Sequence, residues 1–260
     1  MGKSSKPTTK HLPKDLKIIY EDRDILVVDK PPGLLTIATE KEKKRTAYYM
    51  LTDYVRKGSS KSKKRLFIVH RLDRDASGLL VFAKTGEAKR TLQDNWEDAK
   101  KKYLAVVEGH FEKKSDIITS YLAEDKSHRV YSTSNKQEGK LSKTAYKVVK
   151  TSKYLSLVEI NLLTGRKHQI RVNMADSGHP IVGDKRYCKG KPRHKRLALH
   201  AFSLSFKHPY NGKPCNFETE MPTFFKKLVG IEDKKVTKKK LPDSVKKPSD
   251  SVKKPTDSVK

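Results

Sequence analysis

The sequence predicts an α+β fold built on a largely antiparallel mixed sheet with flanking helices. Three observations carry that prediction. Short apolar or alternating runs recur through residues 17–230, while only three stretches show helical spacing. The runs lie next to one another in sequence, as hairpins do, and do not alternate regularly with helices. No Gly-x-Gly-x-x-Gly follows a strand, which removes the dinucleotide-binding form of the doubly wound fold.

The elements follow in order. Residues 17–30 read as two strands, Ile18-Ile19-Tyr20 and Ile25-Leu26-Val27-Val28, joined by the acidic turn Glu21-Asp22-Arg23-Asp24 and ended by Pro31-Pro32-Gly33. Residues 45–57 suit a helix through Ala47, Met50, Leu51 and Tyr54, and 58–65 is a mobile Gly/Ser/Lys-rich loop. The run 78–83 is apolar throughout, as in a strand buried on both faces. Thr85 caps a helix bearing Ala88, Leu92, Trp96 and Ala99. Alternation over 102–109 gives a strand, and 144–150 with 154–162 give a strand pair. Residues 165–178 read as a helix closed by Gly178, with Pro180 beyond. The run 197–206 is a long strand, and Asn211-Gly212 predicts a hairpin into a strand around Phe217.

Composition sets the class of partner. The formal net charge is +29. Residues 1–17 and 234–260 hold fifteen lysines against four aspartates, which leaves +18 on the residues between. A basic body between basic tails points to a polyanion. Residues 1–16 and 231–260 are expected as disordered tails flanking one globular domain over 17–230. The second tail repeats Asp-Ser-Val-Lys-Lys-Pro from Asp243 with a period of seven, too poor in apolar residues for a coiled coil. The first residues hold no apolar core of a signal peptide and no stretch is long enough to span a bilayer. A cytoplasmic monomer without membrane attachment is expected. Cys188 and Cys215 form no Cys-x-x-Cys pair, and His194, His200 and His208 follow no metal-ligand spacing, so no metal is expected.

Two segments carry chemistry. In His70-Arg71-Leu72-Asp73-Arg74-Asp75-Ala76-Ser77-Gly78-Leu79, polar and charged residues crowd the entrance of the buried strand, where a scaffold holds site residues. Asp73 and Asp75 share a face if this stretch is extended and part if it turns. In Thr164-Gly165-Arg166-Lys167-His168-Gln169-Ile170-Arg171, basic groups gather at a helix start whose free N–H groups favour anions. Arg171 is one turn from His168 and Lys167. A solvated helix face would also be basic, but this run is flanked by apolar residues on both sides.

Together these segments resemble the signatures of the RluA-type RNA pseudouridine synthases. That family carries His-Arg-Leu-Asp-x-x-Thr-Ser-Gly-Leu and, later, Gly-Arg-x-His-Gln-Ile-Arg. Here the two stand at 70–79 and 165–171, with Ala76 for the usual Thr and Asn173 for a common His. Residues 22–33, 102–109, 178–184 and 197–201 resemble further stretches of the family in the same order. The resemblance spans 17–228 and implies the pseudouridine synthase fold with a central RNA-binding cleft. About sixteen residues precede the first strand, so the small N-terminal RNA-binding domain of many relatives is not expected.

The resemblance further implies an isomerase of uridines in ribosomal and/or transfer RNA. The N1–C1′ bond breaks, the base turns and C5 is joined instead, with no cofactor. It assigns the carboxylate to Asp73, its buried cationic partner to Arg171 and an active-site tyrosine to Tyr103. It gives Arg71 the place left by the flipped nucleotide, and His70, Arg166, Lys167, His168 and Gln169 contacts to RNA. Three points of action suit the carboxylate: C1′, C6, or the C2′ proton. The competing reading is a non-catalytic RNA-binding or ribosome-assembly protein on the same fold.

Overall fold

The computed structural model describes residues 16–232, so both expected tails lie almost wholly outside it. Among the described residues eleven strands form one sheet. They are β1 (Lys17–Glu21), β2 (Ile25–Lys30), β3 (Phe67–Ile68), β4 (Ser77–Ala83), β5 (Lys100–Glu108), β6 (Ser115–Glu124), β7 (Val130–Thr133), β8 (Lys140–Thr151), β9 (Leu155–Leu162), β10 (Leu199–Lys207) and β11 (Pro214–Glu218). The helices are α1 (Ala47–Arg56), α2 (Gly86–Asp94), α3 (Gln169–Asp176) and α4 (Thr223–Leu228). The strand order is β1-β2-β4-β10-β5-β9-β8-β6-β7, with β3 on β4 and β11 on β10. Every pair is antiparallel except β4 with β10, which is parallel.

The continuous apolar runs of β2 and β4 have a simple cause. Leu26, Val28, Leu80 and Phe82 enter one core cluster with Ala47 and Leu51 of α1. Ile25, Val27, Leu79 and Val81 enter a second with Ala88 and Leu92 of α2. A strand covered on both faces has no polar face to show. Thr46 and Thr85 cap α1 and α2 by accepting from the N–H groups of Tyr49 and Ala88. The β4–β10 junction needs Gly78. Its φ is +111°, and a Cβ there would lie 2.2 Å from the carbonyl oxygen of Ala201.

Several expectations shift. α2 stops at Asp94, where Asn95 turns its side chain back to the Thr91 carbonyl, so Trp96 and Ala99 leave the helix. α3 begins at Gln169, not Gly165, because His168 takes a left-handed φ of 53°. The connection at Asn211-Gly212 spans 208–213 and closes with the His208 N–H on the Lys213 carbonyl. The basic 58–65 loop is a run of turns, braced by Arg56 Nε on the Lys64 carbonyl. β6, β7 and α4 have no counterpart in the sequence reading. β6 is exposed along half of its length, with only Leu122 and Ala123 buried.

Candidate active site

The Asp73 loop runs between β3 and β4 and is gripped from behind. Lys30, fully buried at the end of β2, donates to the carbonyls of Pro31, Leu34, Arg74 and Ala76 at 2.7–3.1 Å. Burial pushes its ammonium down to about 8, against the pull of Asp75, Asp73 and Asp29. Thr36 Oγ1 donates to the Leu72 carbonyl and accepts its N–H, and the Gly33 N–H reaches the Arg74 carbonyl. The backbone bends at Arg74-Asp75, so the two carboxylates part. Asp75 turns outward to Arg74 at 3.1 Å, and Asp73 turns into a cleft of about 530 Å³.

α3 supplies the partner. Arg171 Nη1 donates to Asp73 Oδ2 at 3.0 Å across 98 positions of sequence. The other edge of its guanidinium grips Asp184, Nε to Oδ2 at 2.8 Å and Nη2 to Oδ1 at 2.9 Å. Burial disfavours the charge on Arg171, but the bonds to Asp184 and the charges of Asp184 and Asp73 outweigh it and hold it cationic. Burial would raise Asp184, and the Arg171 bonds keep its carboxyl below the usual range. Asp184 is placed by Gly183, where a Cβ would lie 2.0 Å from the Arg196 carbonyl oxygen. His168 approaches from the same side, its Nε2 3.7 Å from Asp73 Oδ1.

Tyr103 on β5 lines the cleft beside Asp73 and Arg171. Burial raises its hydroxyl above the ordinary range and the Asp73 charge adds to this, so the group stays a neutral phenol. Arg71 is exposed at the rim, with no hydrogen bond or ion pair among the described residues. Arg166 is also exposed and rests Nε on the Leu141 carbonyl at 3.1 Å.

Three residues expected to meet RNA have internal duties. Gln169 is buried. Its amide donates to the Lys143 carbonyl and Thr144 hydroxyl, and its oxygen accepts from Thr164 Oγ1 and the Arg166 N–H. It therefore ties the start of α3 to β8. His70 borders the cleft, but its Nε2 accepts the Val81 N–H at 3.2 Å and its ring stacks on Trp96. Burial, then the Lys101 charge, push it down to about 3, so it offers no positive charge. Lys167 at the rim pairs with Glu124 at 2.5 Å.

Lys30, Asp184, Trp96 and Tyr187 were not singled out from the sequence. A lysine ending a strand that opens with four apolar residues was the available signal for the first. Asn173 is locked by Ser120, Ser142 and Thr144, which accounts for an amide there. Among the described residues, Asp22, Asp24 and His208 bring metal-ligand types within 4.8 Å at the β1–β2 turn. Both Asp22 oxygens already accept hydrogen bonds there, from the Asp24 and Ile25 N–H groups, Tyr20 and His208.

Comparison with known proteins shows the family. The family described as RNA pseudouridylate synthase matches residues 24–176. The chain belongs to that family. It is an RNA pseudouridine synthase of RluA type, an isomerase whose substrate is RNA. It is 34% identical over 220 residues to the ribosomal large subunit pseudouridine synthase D of Zymomonas mobilis, covering 80% of this chain and 69% of that one. It is 35% identical over 216 residues to the dual-specificity RNA pseudouridine synthase RluA of Vibrio vulnificus, covering 77% and 84%. Human RNA pseudouridylate synthase domain containing 1 superposes with a TM-score of 0.68 at 26% identity, covering 89% of this chain and 90% of that one. No helix among the described residues is long and apolar enough to cross a membrane.

Proposed function

We propose that the chain isomerises specific uridines of ribosomal and/or transfer RNA, with Asp73 as the working carboxylate. The observation that carries this reading is the Asp73–Arg171 pair at 3.0 Å, side chains 19% and 10% exposed, in a cleft bordered by Tyr103. A carboxylate so paired is held in one orientation while one oxygen remains open to the substrate. Tyr103 offers a ring for the detached uracil and a neutral O–H for proton transfer. Arg71 is free to occupy the space of an extruded nucleotide. Arg166 and His168 supply the remaining polar rim. The reaction trades a C–N for a C–C bond without net redox change, so it calls for no cofactor.

Relatives named for the ribosomal large subunit support ribosomal RNA as a substrate, and one named dual-specificity supports action on more than one kind of site. The enzyme works as a cytoplasmic monomer whose catalytic domain is 17–230 and whose tails, 1–16 and 231–260, add loose electrostatic contact with RNA. A non-catalytic RNA-binding or ribosome-assembly role is the second reading, favoured by the +18 charge between the tails. Carbodiimide mapping of pseudouridine in total RNA decides between them, using cells with the gene, without it, and with Asp73→Asn. Sites lost in both defective strains are the expected result. Sites kept by Asp73→Asn would move the chemistry elsewhere, and no lost site at all would favour the binding role.

A further inference from the structure

Tyr187 follows α3 by eleven residues and its hydroxyl lies between two groups. The Val130 N–H donates to it at 3.3 Å, and His168 Nδ1 is 2.8 Å away. A hydroxyl oxygen that accepts from a backbone N–H still has its own proton to give, and Nδ1 of His168 is the neighbour within reach of it. With Nδ1 of His168 as that acceptor, the ring proton would reside on Nε2, the nitrogen that faces Asp73. Tyr187 is itself held in place. Its N–H donates to Asp184 Oδ1 at 3.1 Å, and the guanidinium carbons of Arg171 and Arg129 lie 5.1 and 5.6 Å from its ring centroid.

We propose that Tyr187 is a positioning residue of the isomerase: its hydroxyl fixes His168 as the neutral tautomer protonated at Nε2, with that N–H aimed at Asp73 Oδ1. This rests on the reading of Asp73 as the working carboxylate. At 3.7 Å the N–H orients the carboxylate without closing a hydrogen bond, so Oδ1 stays open while Arg171 holds Oδ2. An imidazolium in the same place would add a second cation to Asp73 and draw charge from the oxygen that must react. Burial opposes that cation, Asp73 favours it, and Arg171, Arg186 and Lys167 oppose it. The proton given by Tyr187 adds to the opposing side.

The test is spectroscopic and needs no turnover. Long-range 1H–15N correlation spectra of the full chain, labelled at histidine, report which imidazole nitrogen carries the proton. His168 is assigned by its loss in His168→Asn, a change suited to the left-handed backbone there. An unprotonated Nδ1 and protonated Nε2 at neutral pH are expected. Tyr187→Phe should mix the tautomers and slow single turnover about tenfold, the upper worth of one hydrogen bond, with RNA affinity unchanged. In the His168→Asn background the same change should cost nothing further. A His168 that is cationic or protonated at Nδ1 in the parent chain overturns the proposal, and so does a Tyr187→Phe chain with unaltered tautomer and rate. If Tyr187→Phe fails to fold, the parent spectra still decide. Activity surviving in Asp73→Asn would remove Asp73 from its role without touching the tautomer result.

Discussion

At the scale of the residue, Arg171 is where stability and chemistry meet. It bridges a fully buried carboxylate, Asp184, and a partly exposed one, Asp73. Removing it strands a buried charge, and an unpaired ion in that setting costs about 3–5 kcal/mol. Arg171→Met should therefore lower urea stability by about that much and abolish turnover. Adding Asp184→Asn to the same chain should restore much of the stability but none of the activity. A single variant with the parent's unfolding midpoint would show that the pair holds nothing together. Lysine is no substitute, because one ammonium lacks the planar fork that serves both carboxylates.

At the scale of the element, the parallel contact of β4 with β10 places the Asp73 loop, and Gly78 is the residue that permits it. Gly78→Ala puts a methyl into the β10 backbone at a φ few side chains adopt. A loss of about 3 kcal/mol or more and separation of the two strands are expected. Protection of the Gly78 and Ala201 amides from hydrogen exchange reads this directly, and unchanged protection would refute it. The buried strands were legible from sequence because burial on both faces writes an uninterrupted apolar run. The start of α3 was not, since the left-handed turn at His168 is a backbone choice that basic residues do not announce. The 70–79 and 165–171 segments were legible as a pair, and their meeting at 3.0 Å followed the expectation. The internal bonds of Gln169 and His70 were not legible for one reason: a polar residue in a motif looks the same whether it faces the ligand or braces the loop behind it. Asp184 went unassigned because a buried carboxylate shows only through its partner.

At the scale of the whole molecule, two histidines set an acid limit. Burial first, helped by Lys101 for His70 and by Arg196 for His200, lowers them to about 3 and about 4 from an ordinary 6.5. The folded chain then binds fewer protons than the unfolded one between those values. The stability from these neutral rings is complete above about 6.5 and is lost as pH falls toward 4. Urea midpoints should accordingly drop between about pH 7 and pH 5, and His200→Gln should flatten the change; identical midpoints would contradict it. The strand order carries one more consequence, for how the chain is made. β10 sits between β4 and β5, so the first four strands and the five from β5 to β9 share no edge until residues 199–207 arrive. During synthesis Asp73 and Arg171 both emerge before the strand that seats their supports side by side. A chain cut short before β10 would hold both motifs without the strand that joins the two halves of the sheet, and such unfinished copies are expected to leave RNA unmodified.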